Sequence, residues 1–279
     1  MSQNVEHWWS RETQWPPFLY RYRSLRSKWS REDVERVLAH NEISFSSPAW
    51  FNDPFDCKVE PSFNGSDEQK KRWLEVRYVP RRFTATNQRQ KVEELLPRVD
   101  ECAQVALTEL LQKDIPDAGV LSLTGVSNDI LMWSHYADGH HGVCLKFRGS
   151  CAFPANNWNF YDGIKAQKII YSDDYPEVSF FAAEWEAWMK LMTACLLTKS
   201  KHWCYEHEWR AIEPPPESGA AHGWHKLHPN SLAGVILGCE ISPEDELEVR
   251  AWLRMGGAQV PLFRAEKKPG RFELCIRED

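Results

Sequence analysis

The chain has 279 residues, 42% apolar and 27% charged, with 34 Lys and Arg against 40 Asp and Glu for a formal charge of −6. That length buries a proper core in one large domain or two small ones, and the acidic balance excludes a chain that is basic throughout, as a nucleic-acid sponge would be. No apolar run is long enough to span a bilayer, and the N-terminus lacks a basic-then-apolar signal pattern. The 14 tryptophans are the compositional oddity. They point to a thick core or to a cleft that stacks flat rings. The eight cysteines contain no C-x-x-C pair, so the expectation is free thiols in a reducing cytoplasm rather than a structural zinc site.

In chain order, "PPFLYRYRSL" (Pro16 to Leu25) predicts a short aromatic strand after two prolines. "SREDVERVLAH" predicts a helix with Ser30 as cap, Asp33 at the capping-box position, and Val34, Val37 and Leu38 on one face. "NEISFSSPAW" predicts a strand ending at Pro48, and "FNDPFDC" is turn chemistry. From Ser66 to about Lys113 the pattern is helical, charged and broken at Pro80 and Pro97, as in a helical insertion. Strands follow at "GVLSLTG", "GVCLKF" and "AQKIIYS", with a capped helix at "SNDILMWSHYADG" that ends at Gly139. "SFFAAEWEAWMKLMTACLLTK" is the longest apolar helix pattern, and "AGVILG" is a buried strand. "SPEDELEVRAWLRMGG" predicts a helix with Ser242 as N-cap and Pro243 in its first turn. Two strands, "VPLFRAEKK" and "RFELCIRE", close the chain. The sum is a single α+β domain over residues 1–279 with 66–113 as its helical insertion.

The stretch richest in chemistry is "KSKHWCYEHEWR", Lys199 to Arg210. As a strand from Cys204 to Ile212 it would put Cys204, Glu206, Glu208 and Arg210 on one side and Tyr205, His207, Trp209 and Ala211 on the other. The acidic side either faces water, with a Glu–Arg pair at i, i+2, or lines a cleft. In a cleft, neighbouring carboxylates push each other's pKa apart, which leaves one charged and frees the other to manage a proton. In "LYRYRS", alternation places Leu19, Arg21 and Arg23 on one face. The two arginines make a fork for phosphate or carboxylate, or pair with nearby acids.

Other candidates carry weaker signals. Lys70, Lys71, Arg72, Arg77, Arg81, Arg82, Arg89 and Lys91 form either a solvated face or a phosphate-binding patch. His140 and His141 suit helix capping near Gly139 better than a metal site, which would need ligands the sequence does not specify. Asp53 and Asp56 suit side-chain hydrogen bonds that hold a Pro turn, with metal binding as the alternative.

Taken together and in this order, "LYRYRS", "SSPAWFNDPFDC", "MWSHYADGHHGVCLKF", "KSKHWCYEHEWR" and "GVILGCEIS" resemble a bacterial domain-of-unknown-function family, number 2971, over about Phe18 to Ser242. That family is distantly similar to ADP-ribosyltransferase-like folds. The resemblance implies an α+β fold of split, mixed or antiparallel sheets around a cleft. It implies NAD as a substrate with no metal, and transfer to a nucleic-acid or protein acceptor by a toxin or phage-defence effector with a possible antitoxin.

The same resemblance nominates Glu208 as catalytic acid with Glu206 as helper, since "EHE" is similar to the E-x-E signature. It nominates Arg21 or Arg23 for the pyrophosphate, Ser46 or Tyr136 for the second motif, and Trp133 or Tyr136 to stack the nicotinamide. The pattern departs from that superfamily in lacking an S-T-S triplet. Two other expectations stand beside it: a metal-dependent nuclease using Asp53, Asp56, Glu206 and Glu208, and a non-catalytic protein whose tryptophan-rich cleft captures a nucleotide or partner.

Overall fold

The computed structural model describes residues 16–79, 84–150, 163–181, 185–216, 218–228, 230–257 and 259–279. It is a mixed α+β structure whose sheets pair strands both parallel and antiparallel. The chain forms two compact units, each assembled from non-contiguous segments. The first takes the chain up to Glu42, Leu123–Ala166 and Lys226–Asp279; the second takes Ile43–Ser122 and Gln167–His225.

In the first unit the Phe18–Arg23 strand lies antiparallel beside Val143–Ser150, with Tyr20 opposite Lys146. On its other side Tyr20 pairs with Thr124. Val143–Ser150 runs antiparallel to Leu232–Leu237, which runs parallel to Leu262–Lys267, and Leu274–Glu278 closes the edge antiparallel. Leu232–Leu237 is buried at all six positions, as a central strand covered on both faces should be.

Two helices accompany this sheet. Lys28–His40 begins one turn earlier than the expected cap, because Ser27 is the N-cap and Ser30 completes the capping box. Asp33 is thereby released from capping and is fully buried. Pro243–Gly256 starts at Ser242 as expected and ends on Gly257, whose φ of +67° favours glycine. Arg31 on the first helix pairs with Asp245 and Glu248 on the second.

In the second unit the helices expected between Ser66 and Lys113 are Asp67–Tyr78, Ala85–Leu95 and Val99–Glu109. Their apolar sides join one core that includes Trp73, Leu74, Val92, Ala103, Phe181 and Leu196. The helix expected from Ser179 is shorter, Trp185–Leu197, and is preceded by a Glu177–Ser179 strand that pairs parallel with Glu60–Ser62. "AQKIIYS" is two strands rather than one. Gln167–Lys168 pairs with Glu208–Glu213, and Ile170–Ser172 pairs parallel with Thr198–Ser200.

Candidate active site

The expected continuous strand from Cys204 to Ile212 is corrected by the structure. Lys201–Glu206 is a 3₁₀ turn capped by the Ser200 side chain, and the strand begins only at Glu208. His207 stands between them in the left-handed region, at φ 46° and ψ 45°. A non-glycine residue there is held against a steric cost. The effect is to turn both acids inward: Glu206 and Glu208 are 4% and 3% exposed. Cys204, expected on the acidic face, is exposed instead.

The acids are buried because two cations are buried with them. The Lys199 ammonium donates to Glu206 Oε2 at 2.5 Å and to Glu208 Oε2 at 2.9 Å. Arg210 donates from Nε to Glu208 Oε1 at 2.7 Å and from its two Nη atoms to Asp56 at 3.0 and 2.5 Å. A further Arg210 Nη1 bond reaches the Leu196 carbonyl at 2.8 Å, and the Phe51 ring lies 5.1 Å from the guanidinium carbon. Asp56 also stands 3.9 Å from the Lys199 ammonium. Three carboxylates thus face two cations inside the second unit, a buried charge excess that leaves the cluster formally negative.

Neighbouring groups brace this cluster. The Glu208 N–H donates to the Tyr171 hydroxyl at 2.8 Å. The Trp203 indole donates to Asp53 Oδ2 at 2.6 Å and lies 5.1 Å from the Lys199 ammonium. Asp53 accepts from the Phe55 N–H and Asp56 from the Cys57 N–H, so both aspartates hold the "FNDPFDC" turn as well. Cys57, immediately after Asp56, has φ 56°. Left-handed non-glycine residues therefore flank the cluster at Cys57 and at His207.

Burial alone would push the Glu208 carboxyl up. The Arg210 and Lys199 charges overcome it and hold the group down at about 2. Burial likewise works against the Lys199 ammonium, and the Glu208 and Glu206 charges raise it above its ordinary value. Burial raises the Tyr171 phenol, and it pushes the Cys57 and Cys195 thiols up, the latter to about 12. These thiols are poor nucleophiles in this setting. The seven described cysteines are all free.

The other expected residues have definite places. Arg21 and Arg23 come together in the first unit on one carboxylate, that of Asp33, with Arg23 in direct contact through Nε and an Arg21 Nη2 at 3.8 Å. Arg21 is itself 6% exposed. Trp133 is 0% exposed, donates its indole N–H to the Ser127 carbonyl at 2.9 Å, and meets the Tyr22 ring edge-on. No face of that indole is open for stacking. Tyr136 is half-buried at the end of the Ile130–Tyr136 helix, whose cap is Asp129. Ser46 joins Val120 by a pair of backbone hydrogen bonds. His140 stacks on Trp133, and His141 bonds the Asp138 carbonyl, close to the helix-end role expected of them.

On the helical segment, Lys70 pairs with Asp100, Arg77 with Glu109 and Lys91 with Glu94. These pairs make a salt-bridged surface there rather than a bare cationic one. Arg81 and Arg82 lie outside the described residues. Among the described residues, no group of three or more His, Cys, Asp or Glu is arranged to hold a metal ion. No described helix is long and apolar enough to cross a membrane.

The sequence reading missed Lys199 as a partner of both acids and Asp56 as the partner of Arg210. The first lies inside the quoted stretch but outside the strand expected from Cys204 to Ile212, on the separate Thr198–Ser200 strand. The second carried no local signal, nor did Tyr171.

Residues 132–211, less than a third of the chain, match the model of a family described as a protein of unknown function (DUF2971). The matched segment holds Lys199, Glu206, Glu208 and Arg210, while Asp56, Arg21 and Arg23 fall outside it. No curated protein and no solved structure matches the chain.

Proposed function

We propose that the Glu206–Glu208 turn is the reaction centre of an NAD-cleaving, ADP-ribosyl-transferring enzyme of the ADP-ribosyltransferase-like kind. The observation that carries this reading is the state of Glu208. It is a buried carboxylate held ionised by Lys199 and Arg210, at the start of a strand that directly follows the left-handed His207. A preorganised negative charge in a low-dielectric setting is what an oxocarbenium-like state needs, since it acts without reorganising water.

In the proposed step the bond between ribose C1′ and the nicotinamide nitrogen breaks, and its electron pair leaves with nicotinamide. Positive charge builds on the ribose facing Glu208. A nucleophilic oxygen or nitrogen of the acceptor, or of water, then bonds to C1′, and its proton passes to Glu206. Lys199, 10% exposed, contacts both acids, and the partly buried Trp203 ring lies against its ammonium. A nucleic-acid or protein acceptor, and a role as a toxin or phage-defence effector, belong to the same reading.

The metal-dependent nuclease reading would use the same carboxylates, but in this arrangement the Lys199 ammonium already occupies the position between Glu206 and Glu208. A divalent cation would have to displace it.

The test is nicotinamide release from NAD by the purified chain, with and without lysate as a source of acceptors, and transfer of label from adenine-labelled NAD. Wild type is expected to release nicotinamide, and Glu208→Gln to lose at least a hundredfold of that rate while keeping its circular dichroism. Release no faster than buffer by wild type, across protein, RNA and DNA acceptors, overturns the proposal. So does a Glu208→Gln variant as active as wild type. Nuclease activity that chelator abolishes and Mg²⁺ restores would favour the other reading.

A further inference from the structure

The buried cluster has two cations, and they are held very differently. Arg210 is 1% exposed and engages Asp56, Glu208 and the Leu196 carbonyl at once, with Phe51 against its guanidinium. Its fork geometry is saturated by groups from three chain segments, as suits a part of the fold. Lys199 is 10% exposed, sits on a flexible stem at the edge of the cluster, and among the described residues makes its close carboxylate contacts with Glu206 and Glu208, with Asp56 farther off at 3.9 Å. Those are the two acids of the proposed reaction.

The two cations also divide the Glu208 carboxylate between them. Arg210 Nε takes Oε1, and Lys199 takes Oε2, which the Arg210 Nη2 approaches only at 3.3 Å. Without Lys199, Oε2 would be left, among the described residues, with that longer contact, and Glu206 would lose the cation that ties it to Glu208.

We propose that Lys199 is a positioning residue for the reaction at Glu208, fixing the Oε2 atom of that carboxylate and linking it to Glu206. This inference rests on the reading of Glu208 given above. The groups facing the pair are Arg210 on the same strand, Asp56 from the "FNDPFDC" turn and the Tyr171 hydroxyl from the neighbouring strand. The Cys57 and Cys195 thiols lie behind Arg210, neutral because burial raises them. Of these, only Arg210 supplies a second positive charge. Removing Lys199 leaves three carboxylates against one guanidinium, and the burial that already works against Glu208 ionisation then gains ground.

The experiment compares wild type with Lys199→Met, which removes the charge at similar volume, and Lys199→Arg, which restores it. Two quantities are read: the rate of nicotinamide release against pH, and the carboxyl titration of Glu208 by ¹³C NMR in glutamate-labelled protein, assigned with Glu208→Gln. Lys199→Met is expected to raise the Glu208 titration by about one to three pH units. It is expected to lose rate on the acid side where wild type is still flat, with kcat falling more than the KM for NAD rises. Lys199→Arg is expected to titrate as wild type does.

An unmoved Glu208 titration in Lys199→Met overturns the inference, as does Lys199→Arg behaving like Lys199→Met. If Lys199→Met does not fold, Lys199→Gln replaces it and the same outcomes decide. Should wild type release no nicotinamide, the functional reading fails on that result alone, and the NMR titration still decides whether Lys199 governs Glu208.

Discussion

Arg210 grips Asp56 across 154 positions of sequence, with both Nη atoms on the carboxylate at 3.0 and 2.5 Å. The pair is 1% and 3% exposed, so neither charge has water to fall back on. A buried ion pair of this kind is weak evidence for net stability, but breaking one side of it is costly.

Arg210→Met is therefore expected to destabilise the fold by about 3–5 kcal/mol, since it strands Asp56 and half of Glu208. Arg210→Lys keeps the charge and loses the fork, and should fall between that variant and wild type. Urea unfolding followed by tryptophan fluorescence checks both. An Arg210→Met variant as stable as wild type would show that the cluster reorganises around the loss.

Acid should expose the contribution of Glu208. Its folded pKa is depressed from 4.5 to about 2, so its stabilisation is complete above the unfolded value and is lost as the pH falls through the folded one. The window runs from about pH 4.5 down to about 2, and the whole effect is on the order of 3 kcal/mol. Melting temperatures of wild type and Glu208→Gln, measured across that window, should converge as the pH drops. Parallel curves would contradict the ionised state.

Trp133 should behave as a core residue rather than a ligand contact. Trp133→Ala removes a 0%-exposed indole and is expected to cost about 3–5 kcal/mol. Trp133→Phe keeps most of the packing but leaves the Ser127 carbonyl without its donor, at about 1–3 kcal/mol. If Trp133→Phe instead keeps wild-type stability and abolishes NAD turnover, the ring serves substrate.

Asp33 is the shared ion-pair partner of Arg21 and Arg23 and is 0% exposed. Asp33→Asn is expected to lower stability by several kcal/mol, on the order of the cost of unpairing a buried ion. Thermal unfolding measures it. A small loss would mean that the two guanidiniums find other partners or solvent.

Much of the secondary structure was legible because its causes are local. The Pro243–Gly256 helix follows from Ser242, Pro243 and the early acids, and Leu232–Leu237 follows from an unbroken apolar run. The errors lay where local signals compete. Ser27 and Ser30 both suit a cap, and the side chain that accepts the Ser30 N–H decides between them. "WCYEHEWR" alternates like a strand throughout, yet Lys201–Glu206 winds as a 3₁₀ turn because Ser200 caps it and His207 ends it in the left-handed region.

The sequence by itself determined that an acid pair and an arginine sit beside tryptophans in one short stretch, and that two arginines share a strand face. Side-chain chemistry and period-2 alternation suffice for that. Only the tertiary structure decided that the acids point inward. Their burial depends on compensation by Lys199 and by Arg210, which Asp56 holds in place, with Tyr171 holding the Glu208 backbone, and Asp56 and Tyr171 come from other segments of the chain. A charge is tolerated inside a protein only where its partners are, and the distance in sequence between Asp56 and Arg210 carries no record of their distance in space.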